Sequence, residues 1–391
     1  MTRRRVAVFG AGNIGRGLLG WLFGRAGWEV VFLDVSAPLV DLLNREGEYR
    51  VIEVGNHSRS TRLIRGVRGV NSADVDRAAE EASQAELLCT AVGVAILDRV
   101  APVVAAALSR NDSRIRNVLA CENADPNSGA LRQHVERLLG ESTPGVGFPE
   151  TLVDRMVPGG SEDDLSVEVE ARFDFKVSRE EWVGEDPGIE GFTLVDNLAL
   201  HRKRKLWLVN GLHAAAAFIG LRKGHETVAE AVSDPAIRAR LDEITETMAA
   251  ALSAQSPEWR RDELARYGQY NLERFETTTL VDPIRRVARN PLTKLGPTER
   301  LVGPAREAAR RGLAVDALCE AIAAGLALDD PEVPGSEELQ EALSGSGWRS
   351  VVGLGAEDRP LLEMLENRLA SPCIASRPVY DRRRHETTPG R

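Results

Sequence analysis

Hydrophobic residues in the first half of the chain come in short continuous runs separated by longer mixed stretches. The clearest are Val6-Ala7-Val8-Phe9, Val30-Val31-Phe32-Leu33, Leu87-Leu88-Cys89-Thr90-Ala91-Val92 and Val118-Leu119-Ala120-Cys121. Unbroken apolar runs of this length suit strands buried on both faces of a parallel sheet. Helical patterns lie between them, one running from the glycines after Phe9 to Arg25 and one from Ala95 to Ser109. Alternating β and α units predict a doubly wound α/β domain. The segment 48–70 alternates instead (Tyr49, Val51, Glu53; Thr61, Leu63), which predicts added antiparallel strands, and Leu165 to Glu170 reads as a half-buried strand.

The turn cluster Gly184-Glu185-Asp186-Pro187-Gly188 places a domain boundary nearby. Beyond about residue 193 the pattern becomes helical: Asn197 to Ile219, Asp234 to Ser253, Glu299 to Leu313 and Val315 to Leu326. The expected organisation is a doubly wound domain over 1–192, a mostly α-helical domain over 193–376, and a loose tail over 377–391.

Composition narrows the function. At 391 residues, 43% apolar and 28% charged, the chain has enough apolar residues for two cores. Its 50 basic and 59 acidic residues leave a net charge of −9, so no global field draws in nucleic acid or an anionic membrane. The four cysteines and six histidines show no metal-ligand or redox spacing. The expectation is a metal-independent cytoplasmic protein, a monomer or small homo-oligomer, acting on a small molecule.

The sharpest motif is Gly10-Ala11-Gly12-Asn13-Ile14-Gly15, between a predicted strand and a predicted helix. In that context G-x-G-x-x-G is a dinucleotide fingerprint. Gly10 permits the tight turn, Gly12 lets the backbone approach a pyrophosphate, and Gly15 allows close helix–strand packing. The helix N-terminus offers free N–H groups to the anion. Asp34, 19 residues beyond Gly15, ends the second predicted strand. A carboxylate there accepts ribose hydroxyls and repels a 2′-phosphate, which favours NAD over NADP. Asn13 and Ile14 complete the loop. Thr90 and Val92 end a later strand and can line the nicotinamide side, or can form a plain strand-to-helix turn.

Hydride transfer without a metal needs a proton acceptor and donors for the developing oxyanion. The candidate helix reads Lys205-Leu206-Trp207-Leu208-Val209-Asn210-Gly211-Leu212-His213. At about 100° per residue, His213 falls about 80° and Asn210 about 140° from Lys205. A desolvated lysine can act as a base near neutral pH; the alternative is a solvated face within the run Arg202 to Lys205. Asn123, at a strand end, can join Asn210 as an oxyanion donor or can cap a helix starting near Pro126. Asp154 can orient the base or form a surface pair with Arg155. Arg286 and Lys294 suit an oxygen-rich or anionic substrate, or are ordinary surface charge.

Together these residues resemble the polyol-specific long-chain dehydrogenases, the mannitol dehydrogenase family. The resemblance rests on Phe9-Gly10-Ala11-Gly12-Asn13-Ile14-Gly15-Arg16-Gly17, Thr90-Ala91-Val92-Gly93, Ala120-Cys121-Glu122-Asn123, Val153-Asp154-Arg155, Asp196-Asn197-Leu198 and Gly224-His225-Glu226-Thr227. It rests also on the pattern Lys205, four residues, Asn210, two residues, His213, and spans about residues 5–330. It implies a Rossmann-like N-terminal domain with a mostly helical C-terminal one and NAD as cofactor. It implies Lys205 as general acid/base, Asn123 and Asn210 as the oxyanion pair, His213 as a contact of substrate or lysine, and Arg286 and Lys294 as polyol contacts. The activity implied is interconversion of D-mannitol 1-phosphate and D-fructose 6-phosphate. The same chemistry on an unphosphorylated hexitol, altronate or fructuronate, and a non-catalytic dinucleotide sensor, are the alternatives. Gly211-Leu212 and Thr293 depart from the family pattern.

Overall fold

The computed structural model describes residues 3–55, 58–157, 159–160, 164–277 and 281–371; the expected tail over 377–391 lies outside them. The chain divides between His201 and Arg202 into two compact units.

The first unit is built on five parallel strands: β1 (Arg5–Phe9), β2 (Glu29–Asp34), β5 (Val67–Asn71), β6 (Leu87–Thr90) and β7 (Asn117–Ala120), in the order β5-β2-β1-β6-β7. The four apolar runs supply four of these strands. Successive β1 residues pack on opposite sides: Val6 and Val8 join one core cluster, Ala7 and Phe9 another. Both faces are buried, so the runs are continuously apolar. The strand order reverses between β1 and β6, and ligands bind beyond the carboxyl ends of strands at such a switch point.

The segment 48–70 behaves in two ways. β3 (Glu48–Val54) and β4 (Arg59–Arg65) form the expected antiparallel pair, whereas β5 joins the edge of the parallel sheet. β3 also pairs in parallel with β10 (Val167–Glu170), which is flanked by β9 (Gly159–Gly160). A third sheet pairs β11 (Asp174–Ser178) with β8 (Thr151–Asp154) and β12 (Phe192–Val195). Thus β12, past the Gly184–Gly188 turn cluster, pairs within the first unit.

The second unit is helical. Its long helices include Pro235–Ser253, Arg261–Phe275 and Asp316–Leu326, and one helical run from Leu198 to Lys223 leads into it. That run is interrupted by a π-helical turn over Leu206–Gly211. Its core gathers Trp207, Leu208, Leu212, Phe218, Leu241, Ile244 and Met248. Among the described residues no helix is long and apolar enough to cross a membrane.

Candidate active site

In the first unit the glycine loop leaves β1 and enters a helix whose first turn, Gly15–Gly20, is π-helical. Gly10 has φ +88°, and a Cβ on it would stand 2.6 Å from the Ala91 carbonyl. A Cβ on Gly15 would stand 1.9 Å from the Gly10 carbonyl, whereas one on Gly12 would meet nothing within 4 Å. Two glycines are therefore required by the protein's own packing. Gly12 instead offers exposed, unobstructed backbone, which suits a pyrophosphate. Asn13 and Ile14 are half-buried beside it.

Asp34 closes the loop from the neighbouring strand. The Ala11 amide donates to its Oδ2 at 2.7 Å and the Ser36 amide to its Oδ1 at 2.9 Å. A carboxylate has about four acceptor positions, so capacity remains for ribose hydroxyls.

Glu122, visible in the Ala120-Cys121-Glu122-Asn123 motif but given no role there, ties the rest of this edge together. Its buried carboxylate accepts from the Thr90 hydroxyl at 2.6 Å and the Val92 amide at 3.0 Å. Thr90 is fully buried, so its hydroxyl serves Glu122. Asn123 follows on an exposed segment. The helix-cap alternative for Asn123 fails: the N-cap of Ser128–Leu139 is Asn127, whose side chain accepts from the Ser128 amide and donates to the Glu122 carbonyl at 3.1 Å.

Asp154 lies half-buried at the end of β8, paired in register with Asp174. The surface pairing with Arg155 is overturned. The Arg155 side chain is wholly buried; it donates to the Gly17 carbonyl at 2.7 Å, the Glu170 carbonyl at 2.8 Å and Glu53 at 3.1 Å. It also lies 4.0 Å from the Trp21 ring centroid. Burial pulls its pKa down to about 10, with Glu53 opposing. Arg155 is a bracket between the first helix and the second sheet.

In the second unit, Lys205 is half-buried at the last position before the π turn, and Asn210 is half-buried within it. The uniform 100° step used on the sequence fails across Leu206–Gly211. A π turn closes i→i+5 hydrogen bonds, which brings residues five apart, Lys205 and Asn210, toward one side of the helix. The preceding basic run is not a bare solvated face: Arg204 lies 4.2 Å from the Tyr267 ring centroid and Lys203 5.5 Å from that of Trp207.

His213 stacks on Phe275 with ring centroids 4.5 Å apart, and its Nε2 lies 2.8 Å from Oδ2 of Asp282. The other oxygen of Asp282 accepts from Arg286 Nε at 2.9 Å. Burial pushes the Asp282 carboxyl up, but His213 and Arg286 together hold it below its ordinary value. Asp282 is a residue that sequence reasoning missed; it lies 69 positions from His213 and no local motif marks it.

Lys294 is half-buried and donates to the Arg289 carbonyl. Burial lowers its pKa to about 8, helped by Arg300, Arg289 and Arg286, with Glu299 opposing. Arg300, also missed, reaches the helix that carries Lys205 and Asn210 through its backbone: a Cβ on Gly211 would stand 2.5 Å from the Arg300 carbonyl. The small residue at this departure from the family pattern thus admits the Arg300 loop.

Comparison with known proteins matches the whole architecture. Residues 4–191 match the mannitol dehydrogenase Rossmann domain and residues 197–346 the mannitol dehydrogenase C-terminal domain. The chain is 40% identical over 360 residues to a mannitol-1-phosphate 5-dehydrogenase of Brevibacillus brevis, covering 88% of this chain and 91% of that one. It is 37% identical over 352 residues to the Bacillus subtilis protein of the same name, covering 88% and 93%. Among solved structures, substrate-free D-sorbitol dehydrogenase superposes with TM-score 0.75 at 16% identity, covering 96% of this chain and 95% of that one. Pseudomonas fluorescens mannitol 2-dehydrogenase, in a ternary complex with NAD and D-mannitol, gives TM-score 0.69 at 17% identity, covering 96% and 93%. These two structural likenesses speak to the fold.

Proposed function

The chain belongs to the mannitol dehydrogenase family, and from that membership we propose that it interconverts D-mannitol 1-phosphate and D-fructose 6-phosphate in the cytoplasm. Its N-terminal unit is an NAD-binding Rossmann domain, and the chain is an NAD-dependent oxidoreductase of polyols and sugar phosphates.

NAD supplies the hydride acceptor. The protein's own groups do the rest. Lys205 in its neutral form takes the hydroxyl proton as general base. Asn123 and Asn210 donate amide hydrogens to the developing alkoxide, where charge accumulates. His213 holds a substrate hydroxyl or the lysine, and Asp154 orients the base. Gly10, Gly12, Asn13, Ile14, Gly15 and Asp34 hold the dinucleotide, with Val92 beside the nicotinamide and the buried Thr90 behind it, bonded to Glu122.

One observation carries the choice of a phosphate ester. Lys294 sits among Arg300, Arg289 and Arg286, whose like charges add to the burial that lowers its pKa to about 8. A dianion relieves like-charge repulsion of that kind; a neutral polyol does not. The likeness to two proteins named mannitol-1-phosphate 5-dehydrogenase points the same way.

The test is NADH oxidation by the purified protein with fructose 6-phosphate, beside fructose and fructuronate. Turnover confined to the phosphate ester is expected. Turnover confined to an unphosphorylated sugar would overturn the substrate and keep the lysine chemistry.

A further inference from the structure

One carboxylate, Asp282, lies between two residues assigned to the substrate. Its Oδ2 is 2.8 Å from His213 Nε2 and its Oδ1 is 2.9 Å from Arg286 Nε. Its side chain is only 7% exposed and that of His213 20%, so the bond between them is largely shielded from water and stronger than a surface pair. Both partners favour its ionised form, and an ionised carboxylate can only accept hydrogen bonds. The imidazole nitrogen facing it must therefore carry the proton. In the neutral ring the remaining nitrogen, Nδ1, is then the acceptor.

The backbone around Asp282 is fixed as well. The Val228 amide donates to the Asp282 carbonyl at 3.1 Å, and the Ile284 amide to the Glu226 carbonyl at 2.9 Å. Thr227 and Pro283 form a β-bridge, and Thr227 with Glu230 makes a capping box at the start of the next helix. The segment Gly224-His225-Glu226-Thr227, which found no role in catalysis, is thus the mount for Asp282.

We propose that Asp282 is a positioning residue that locks His213 as the Nε2–H tautomer, turning Nδ1 to the substrate side, and aims Arg286 at the same time. The assignment of His213 and Arg286 to the substrate rests on the function proposed above; the tautomer does not.

The experiment is a long-range proton–nitrogen correlation spectrum of the full chain labelled with ¹⁵N-histidine. It is recorded above pH 8, with His213→Gln used to assign the signal. Wild type is expected to show a protonated Nε2 and an unprotonated Nδ1. Asp282→Ala is expected to give a mixture of tautomers. Asp282→Asn must keep its one amide oxygen on Arg286, which only donates, so its NH2 faces His213 Nε2 and the Nδ1–H form is expected. In steady state, Asp282→Ala should raise KM for fructose 6-phosphate on the order of 10-fold while kcat stays within about three-fold, the pattern of lost uniform binding. NADH affinity should not move. A proton on Nδ1 in wild type would overturn the proposal, as would an unchanged KM in Asp282→Ala. If that variant does not fold, the wild-type spectrum and Asp282→Asn still decide. If no sugar is turned over, the function falls while the tautomer remains testable.

Discussion

The cofactor loop and the helical site are built from different materials. Around Gly10 to Gly15 the working groups are backbone amides and carbonyls, fixed by glycine sterics, and one carboxylate, Asp34, which accepts the Ala11 and Ser36 amides. Around Lys205 to His213 they are side chains, and His213 is held from a distant segment by Asp282, which also binds Arg286. A backbone site tolerates no added atom at Gly10 or Gly15 but needs few partners. A side-chain site depends on each partner's charge and protonation. Damage to the first should abolish cofactor binding, and damage to the second should spare it.

The largest effect expected on cofactor binding comes from Gly15→Ala, because its Cβ would stand 1.9 Å from the Gly10 carbonyl. NADH affinity should fall on the order of 10²-fold, equivalent to about 2.7 kcal/mol, as read by fluorescence titration. Wild-type affinity would mean that the loop relaxes freely. Arg155→Ala should follow. It leaves Glu53 with the longer pair to Arg62 at 3.7 Å and removes donors to two carbonyls, a loss of about 3 kcal/mol, visible as a lower midpoint in urea. An unchanged midpoint would remove Arg155 from the account. Asp34→Asn should weaken NADH binding by roughly 10-fold, since hydrogen bonds to a charged group contribute about 1.5–3 kcal/mol, and should narrow the preference over NADPH. The preference would survive only if another group reads the ribose.

The smallest effect is a pH dependence in the second region. Lys294, with its pKa lowered to about 8, is charged below that value and neutral above it. KM for fructose 6-phosphate should therefore rise a few-fold, roughly, as pH passes 8, and the rise should vanish in Lys294→Met. The sign for stability is opposite. Between pH 8 and the ordinary lysine value of 10.5 the folded state binds fewer protons than the unfolded state. Lys294 thus adds stability as pH rises through that window.

The same contrast explains what was legible in the sequence. Four of the five parallel strands and the glycine loop follow from contiguous residues, because burial on both faces and steric limits leave local marks. β5 was missed as part of the parallel sheet because Val67–Asn71 is short and contains Arg68 and Gly69. Arg261–Phe275 was missed because its charged residues and Gly268 hide a helix whose close approach to Thr245 needs that glycine. Lys205, Asn210 and His213 were visible as a spacing, but the π turn that changes their angular relation was not. Glu122, Asp282 and Arg300 act across 30 to 89 positions or through tertiary packing, and no local pattern announces such partners. Arg155 shows the reverse error: an Asp-Arg dipeptide reads as surface charge until three-dimensional packing closes over it.

The most direct test of the division between the two regions is Lys205→Ala, with NADH affinity and single-turnover reduction of fructose 6-phosphate measured on one preparation. The account predicts NADH affinity within about two-fold of wild type and turnover reduced by more than ~10²-fold, the lower end of general-base effects. Near wild-type turnover, or a parallel loss of NADH binding, would contradict it.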